Sequence, residues 1–252
     1  MTAIDKTVKS IRIVVTGERE DLDRRLPTEL GYNGLPLEWI TVPVLKFEKL
    51  KVDEEMVRGE LSHPPDWIIF TSQRAVRFWS ELLLQMGVDF PLETQVACIG
   101  EKTAEAANQD GFTPDFYPTE PGSEKFLEEF EDLISNNSIK PRVLMPTAEG
   151  GRTMIPERLK ELGCSVKTIP LYRTMAREDV GRVVSQEEIG RSSMIVFTSP
   201  SSVDAFIKSF SIPEDILVAS LGKFTCDHLA GRGIESRIVP SGDFERVGEL
   251  LC

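Results

Sequence analysis

The segment Ile68-Ile69-Phe70-Thr71-Ser72 returns 127 residues later as Ile195-Val196-Phe197-Thr198-Ser199, and each copy is followed four residues on by Val76 or Val203. A second pair lies 122 residues apart: Ala97-Cys98-Ile99-Gly100 with Thr103, and Ala219-Ser220-Leu221-Gly222 with Thr225. Tyr117-Pro118 and Val239-Pro240 share that spacing. Upstream, Pro43 and Pro170 end similar runs 127 apart, and Ile11–Val15 and Pro141–Met145 open the two halves 130 apart. Offsets that drift by a few residues are what changing loop lengths in two copies of one unit would produce. The chain therefore reads as two versions of a five-strand α/β unit, each large enough to bury its own core.

Each copy alternates short apolar runs with helix-period segments. Strands are expected at Ile11–Thr16, Leu37–Pro43, Trp67–Thr71, Gln95–Ile99 and Thr113–Tyr117. The second copy repeats them at Arg142–Met145, Val166–Pro170, Ser193–Thr198, Ile216–Leu221 and Ser236–Pro240. Helices are expected at Asp21–Leu30, Asp53–Leu61, Ser72–Met86, Glu101–Gln109 and Ser123–Ile134, the last capped by Ser123. They return at Thr153–Leu162, Gln186–Ile189, Ser199–Phe210 and Phe224–Ala230, with a final helix running to Leu251. Trp67–Thr71 is apolar almost throughout, as a strand covered on both faces must be. Alternating β and α with short loops implies parallel pairing through right-handed crossovers.

Charge removes some functions. A net charge of −12 lacks the basic footprint of a generic nucleic-acid binder. It does not exclude a small anionic ligand, because exposed charges beyond about 10 Å are screened. Cys98, Cys164, Cys226 and Cys252 match no zinc spacing, with only His63 and His228 to join them, so they read as reduced thiols. Residues 1–10 lack the apolar core of a signal peptide, and no apolar run is long enough to span a bilayer, so a cytoplasmic protein is expected. Neither Gly-x-Gly-x-x-Gly nor a P-loop follows any strand, which disfavours nucleotide enzymes.

In open parallel sheets ligands bind beyond the carboxyl ends of the strands, where helix N-termini present free N–H groups. Thr71-Ser72, Gly100–Thr103, Thr198-Ser199 and Gly222–Thr225 all fall at such strand-to-helix junctions. A hydroxyl there either caps its helix or reaches a ligand, and both readings stand for each junction.

The same junctions carry a family likeness. Phe-Thr-Ser-x-x-Ala-Val (Phe70–Val76), Phe-Thr-Ser-Pro-Ser-Ser-Val (Phe197–Val203), Gly-x-x-Thr-Ala (Gly100–Ala104) and Pro-Leu-Tyr-Arg-Thr (Pro170–Thr174) resemble the signature stretches of uroporphyrinogen-III synthases. The resemblance implies two flavodoxin-like parallel-sheet domains, an internal duplication, joined by a two-stranded β-ladder. Residues 1–43 with 174–252 would form the first domain and 47–170 the second, with 43–47 and 170–174 connecting them. It also implies the reaction: linear hydroxymethylbilane loses water, ring D inverts through a spiro intermediate, and the macrocycle closes as the III isomer. The electron-rich pyrrole itself drives loss of hydroxide, so no cofactor and no metal is expected. The enzyme's task is positioning, with one proton donor for the leaving hydroxyl.

By that likeness Tyr172 is the candidate proton donor, and Ser72, Thr103, Ser199 and Thr225 are candidate substrate-contacting hydroxyls. Arg74 and the backbone at Gly100 and Gly222 are candidates for the substrate's carboxylates. Arg19, Arg152 and Arg173 are further carboxylate candidates, and His228 is read as a solvent-facing helix residue. The chain departs from the family where Gly17-Glu18-Arg19 replaces an arginine and proline, and where Lys223-Phe224-Thr225-Cys226 replaces smaller residues. The implied partner is hydroxymethylbilane, with functional coupling to hydroxymethylbilane synthase, and a monomer without nucleic-acid or membrane partners is expected. The rival reading is a two-domain cytosolic anion-binding or sensor protein without catalysis.

Overall fold

The computed structural model describes residues 10–120, 122–135 and 139–251; the polar N-terminal stretch and Cys252 lie outside these. The fold is α/β with mostly parallel strands, and the chain falls into two compact units. A terminal unit combines residues up to Phe47 with those from Thr174 onward, and a central unit spans Glu48–Arg173.

The terminal unit opens with β1 (Ile11–Glu18), α1 (Arg19–Arg25), β2 (Gly31–Tyr32) and β3 (Leu35–Lys49). The central unit follows with α2 (Glu54–Ser62), β4 (Trp67–Phe70), α3 (Gln73–Met86), β5 (Gln95–Cys98), α4 (Glu101–Gln109), α5 (Ser123–Ser135), β6 (Arg142–Ala148), α6 (Met154–Glu161) and most of β7 (Ser165–Ala176). The chain then completes the terminal unit with α7 (Gln186–Gly190), β8 (Met194–Phe197), α8 (Pro200–Ser209), β9 (Leu217–Ser220), α9 (Lys223–Ala230) and β10 (Arg237–Ile238).

Within the terminal unit the parallel order is β3-β1-β8-β9-β10; within the central unit it is β7-β6-β4-β5. A bridge between Ala97 and Phe116 adds a fifth position to the central sheet. With β6 taken as the counterpart of β1, both units follow the doubly wound order 2-1-3-4-5. Small details recur at the same positions. Ile99 N–H donates to Phe70 O at 3.0 Å as Leu221 N–H donates to Phe197 O at 3.1 Å. Phe112 N–H closes onto Ala107 O at 2.8 Å as Ile234 N–H closes onto Leu229 O at 3.0 Å.

Each sheet is covered on both faces, which explains why β4 and β8 are buried at every position. In the terminal unit alternate residues divide between two clusters, Val14, Ile195 and Phe197 on one side and Ile13, Val15 and Val196 on the other. In the central unit Phe126, Phe130, Trp67 and Ile69 share one core, with the Trp67 and Phe130 rings edge to face at 5.1 Å.

Several expectations need correction. The helix expected at Asp21–Leu30 is α1, ending at Arg25, because Pro27 bars Leu26 from helical backbone and leaves it extended at ψ 128°. Thr113–Tyr117 forms no strand, only the bridge at Phe116. Ser123 is the first residue of α5 rather than its cap. The final segment, Phe244–Leu251, is 3₁₀ in character rather than α. The β2–β3 hairpin went unforeseen although Asn33-Gly34 announces it: φ of 51° and 79° are the two positive angles a type I′ turn needs.

The segments expected as short connectors are parts of two long strands, β3 and β7, and each bulges at its proline. Between Thr16↔Val42 and Glu18↔Leu45 strand β3 carries one extra residue around Pro43. Between Thr147↔Pro170 and Ala148↔Tyr172 strand β7 does the same after Pro170. Proline has no N–H to give a ladder, and a bulge accommodates it while re-aiming the residues that follow.

Candidate active site

In a 2-1-3-4-5 sheet the chain reverses direction between the first and third strands, leaving a crevice at their carboxyl ends. In the central unit those strands are β6 and β4. Strand β4 ends in Thr71-Ser72, and Ser72 caps α3, its Oγ accepting from Ala75 N–H at 3.1 Å. Beyond β6, Glu149 N–H donates to Tyr172 O at 2.7 Å, fixing the backbone of the bulged residue.

The Tyr172 side chain is buried, 5 % exposed, and its hydroxyl lies 3.2 Å from Ser72 Oγ. The Phe78 ring packs on it at 5.1 Å and the Arg74 guanidinium stands 5.9 Å from its ring centroid. Arg74 and Phe78 lie two and six residues past the Ser72 cap, so little more than one turn and a half of α3 builds this cluster. Lys49 extends it, standing 5.4 Å over the Phe78 ring and pairing with Glu81. Tyr172, Ser72 and Arg74, three separate sequence candidates, are therefore one constellation.

Gly100 and Thr103 stand at the end of the adjacent strand β5. Gly100 caps α4 without a side-chain bond to the first turn, and Thr103 is buried, 5 % exposed. Arg173 is occupied, its Nε and Nη2 donating to Glu48 at 3.1 and 3.0 Å. Arg152 is exposed in the loop after Gly150-Gly151.

The terminal unit holds Ser199, Gly222 and Thr225 at the ends of β8 and β9. Ser199 caps α8 in a reciprocal box with Ser202, whose Oγ also receives Thr16 Oγ1 at 3.1 Å. Thr198 Oγ1 donates to Thr16 O at 2.8 Å, so hydroxyls tie β1 to β8 at this crevice. Gly222 caps α9 with no side-chain bond, and Thr225 is buried. Lys223 is held above its ordinary pKa by its hydrogen bond to Asp227. Arg19 pairs with Asp23 on the surface. His228, expected merely to face solvent, is half-buried and sits 2.8 Å from Asp204, which Arg232 also engages at 2.6 Å.

A family model described as Uroporphyrinogen-III synthase HemD matches residues 29–243. The chain belongs to the uroporphyrinogen-III synthase family. A uroporphyrinogen-III synthase of Synechococcus elongatus is 26 % identical over 183 residues, 66 % of this chain and 67 % of that protein. A protein of Methanothermobacter thermautotrophicus, provisionally given the same name, is 28 % identical over 212 residues, 77 % and 80 % of the two chains. The solved uroporphyrinogen-III synthetase of Helicobacter pylori matches 96 % of this chain and 98 % of its own with a TM-score of 0.65 at 20 % identity, which speaks to the fold. A mutant Thermus thermophilus uroporphyrinogen III synthase gives 0.62, with 96 % of each chain covered at 20 % identity. Members of the uroporphyrinogen-III synthase family are lyases of heme biosynthesis, and membership favours the enzymatic reading over the anion sensor.

Among the described residues no group of three or more His, Cys, Asp and Glu could hold a metal ion, and no helix is long and apolar enough to cross a membrane. Sequence reasoning missed two contributors. Phe78 carried no functional reading, although its spacing of four from Arg74 puts both on one face of α3. The Thr16–Ser202 bond had no sequence signal, since it joins residues 186 apart through the β1–β8 pairing.

Proposed function

We propose that this chain converts linear hydroxymethylbilane to uroporphyrinogen III, with loss of water and inversion of ring D, and that Tyr172 donates the proton to the departing hydroxyl. The observation that carries the residue assignment is the buried Tyr172 hydroxyl at the β6–β4 crevice, held 3.2 Å from Ser72 beneath the Arg74 guanidinium. The pyrrole supplies the electron pair that expels the hydroxyl, so the protein needs one placed acid rather than a nucleophile. A proton on the leaving oxygen lets it depart as water. The ring carbon that closes the macrocycle later releases a proton, which restores the phenol.

Arg74, Thr103 and the uncapped amides after Gly100 supply carboxylate and hydroxyl contacts in the central unit. Ser199, Thr225 and the amides after Gly222 supply them in the terminal unit. We read the two units as products of one duplicated five-strand ancestor, supported by their shared strand order and matched hydrogen bonds. Each unit then combines the first two strands of one copy with the last three of the other. The chain crosses between units on β3 and β7, near Phe47 and Arg173. We take the protein to act as a cytoplasmic monomer fed by hydroxymethylbilane synthase, which sedimentation and a channelling assay test.

The deciding experiment is a coupled assay. Porphobilinogen and its deaminase generate hydroxymethylbilane, this protein is added, and the oxidised porphyrin isomers are separated. A dominant III isomer is expected. The I isomer alone, from folded protein, removes the enzymatic reading and leaves an anion-binding one.

A further inference from the structure

Ser72 Oγ faces two partners at once. It accepts from Ala75 N–H at 3.1 Å, which occupies one lone pair, and it lies 3.2 Å from Tyr172 Oη. A hydroxyl carries one proton and two lone pairs, so the proton and the second lone pair remain for the phenol. Ser72 can accept from a neutral Tyr172, and by rotating its proton it can donate to a phenolate with no heavy atom moving. The cap bond to the α3 backbone fixes Oγ, and Phe78 fixes the ring plane.

Resting on the reading of Tyr172 as proton donor, we propose that Ser72 is a positioning residue that holds the Tyr172 oxygen and receives its charge, rather than a contact to substrate. When Tyr172 Oη gives its proton to the leaving hydroxyl, water departs and a phenolate remains. Ser72 then donates its own hydroxyl proton into a hydrogen bond to that oxygen, without transferring it. The proton released on ring closure returns to Tyr172, so protons balance over the cycle. Arg74, 5.9 Å from the ring centroid, adds a positive charge on the same side of the balance.

Substitution separates this role from the cap. Ser72→Ala removes both cap and donor. Ser72→Asp keeps an acceptor for the Ala75 N–H and removes the donor. Ser72→Asn keeps an acceptor and a donor. One neutral hydrogen bond is worth about three- to tenfold in rate, so kcat should fall by roughly that factor in Ser72→Ala and by at least as much in Ser72→Asp. KM should stay within about twofold, and Ser72→Asn should recover most of the loss. In a Tyr172→Phe background Ser72→Asp should change kcat little, because the oxygen it serves is gone. A rise in KM at constant kcat would overturn the proposal in favour of a substrate contact, as would an equal loss of kcat with and without the Tyr172 hydroxyl.

A second readout needs no turnover. The chain has three tyrosines, so the ¹³Cζ resonance of Tyr172 can be assigned by substitution. Ser72→Asp should move that resonance in the free protein while Ser72→Asn leaves it close to its original place. An unmoved resonance in Ser72→Asp overturns the coupling even if the wild type makes the III isomer. A moved resonance from protein that makes no III isomer sustains the coupling and removes the enzymatic reading alone.

Discussion

At the bulge after Pro43 the terminal unit places Leu45 opposite Glu18; at the bulge after Pro170 the central unit places Tyr172 opposite Ala148. Both side chains are buried, 6 % and 5 % exposed. Four residues past the ends of β4 and β8 the difference repeats, with Arg74 in the central unit where the terminal unit has Ser201. A shared scaffold thus presents two chemistries. One end offers a phenol flanked by a cation, the other a set of hydroxyls bonded to one another. The lesson is that the sheet order decides where a site can form, while two or three substitutions at equivalent positions decide what it does.

The largest effect should come from removing the phenol. General acids contribute about 10²–10⁴-fold, and a pyrrole that expels hydroxide unaided puts Tyr172 near the low end, about 10² in kcat. Tyr172→Phe should lose that factor with KM nearly unchanged, and spontaneous closure should enrich the I isomer. Isomer chromatography measures both. Unchanged turnover would erase the chemical difference between the two units.

The next effect lies in the terminal unit. Gly242 has φ of +61°, and a Cβ there would stand 2.6 Å from Leu221 O, just ahead of Gly222. The central unit ties the matching stretch differently, with Thr119 N–H and Oγ1 donating to Glu129 at 3.1 and 2.5 Å. Gly242→Ala should cost about 2 kcal/mol through strain and backbone clash. Gly222→Ala, whose Cβ meets nothing within 4 Å, should cost little stability. Equal costs by denaturant unfolding would mean that the Leu221 approach is not a fixed feature.

A third contrast separates Cys98 from Ser220, its counterpart. Ser220 donates to Gly222 O at 3.3 Å, whereas burial without compensation pushes the Cys98 thiol up to about 12. The unfolded thiol ionises near its ordinary value of 9.0, so below that pH both states keep the proton and nothing changes. Between the two values only the unfolded chain releases it, and stability falls as pH rises, by at most about 1.4 kcal/mol per pH unit. Cys98→Ser should flatten this decline in melts recorded from pH 8 to 10.5. An identical decline in the variant would locate the alkaline sensitivity elsewhere.

Much of this contrast was legible in the sequence, for identifiable reasons. Strands β4 and β8 stood out because burial on both faces demands unbroken apolar runs, and the Ser72 and Ser199 junctions because caps are local chemistry. Gly87, at φ of 61°, stops α3 just after the expected end at Met86. What stayed hidden is non-local. Ser72 and Tyr172 are 100 residues apart, and only the β6–β7 pairing with its bulge turns the phenol toward the cap. The early end of α1 is local chemistry too, since Pro27 keeps Leu26 extended. The Asn33-Gly34 turn is likewise local, set by two adjacent residues with positive φ.

The smallest effect tests whether the two serine caps differ as their surroundings do. Ser199 exchanges bonds with Ser202 and approaches Ser201 Oγ at 3.1 Å. Ser199→Ala should therefore cost about 1 kcal/mol of stability, the ordinary worth of a cap. Any kinetic change should fall on KM, through a lost contact to substrate, because the proposed proton donor is held by Ser72. Thermal melts and initial rates on one preparation separate the two. A fall in kcat matching that of Ser72→Ala would mean that the hydroxyl end also takes part in the chemistry, and the division of labour between the units would have to be redrawn.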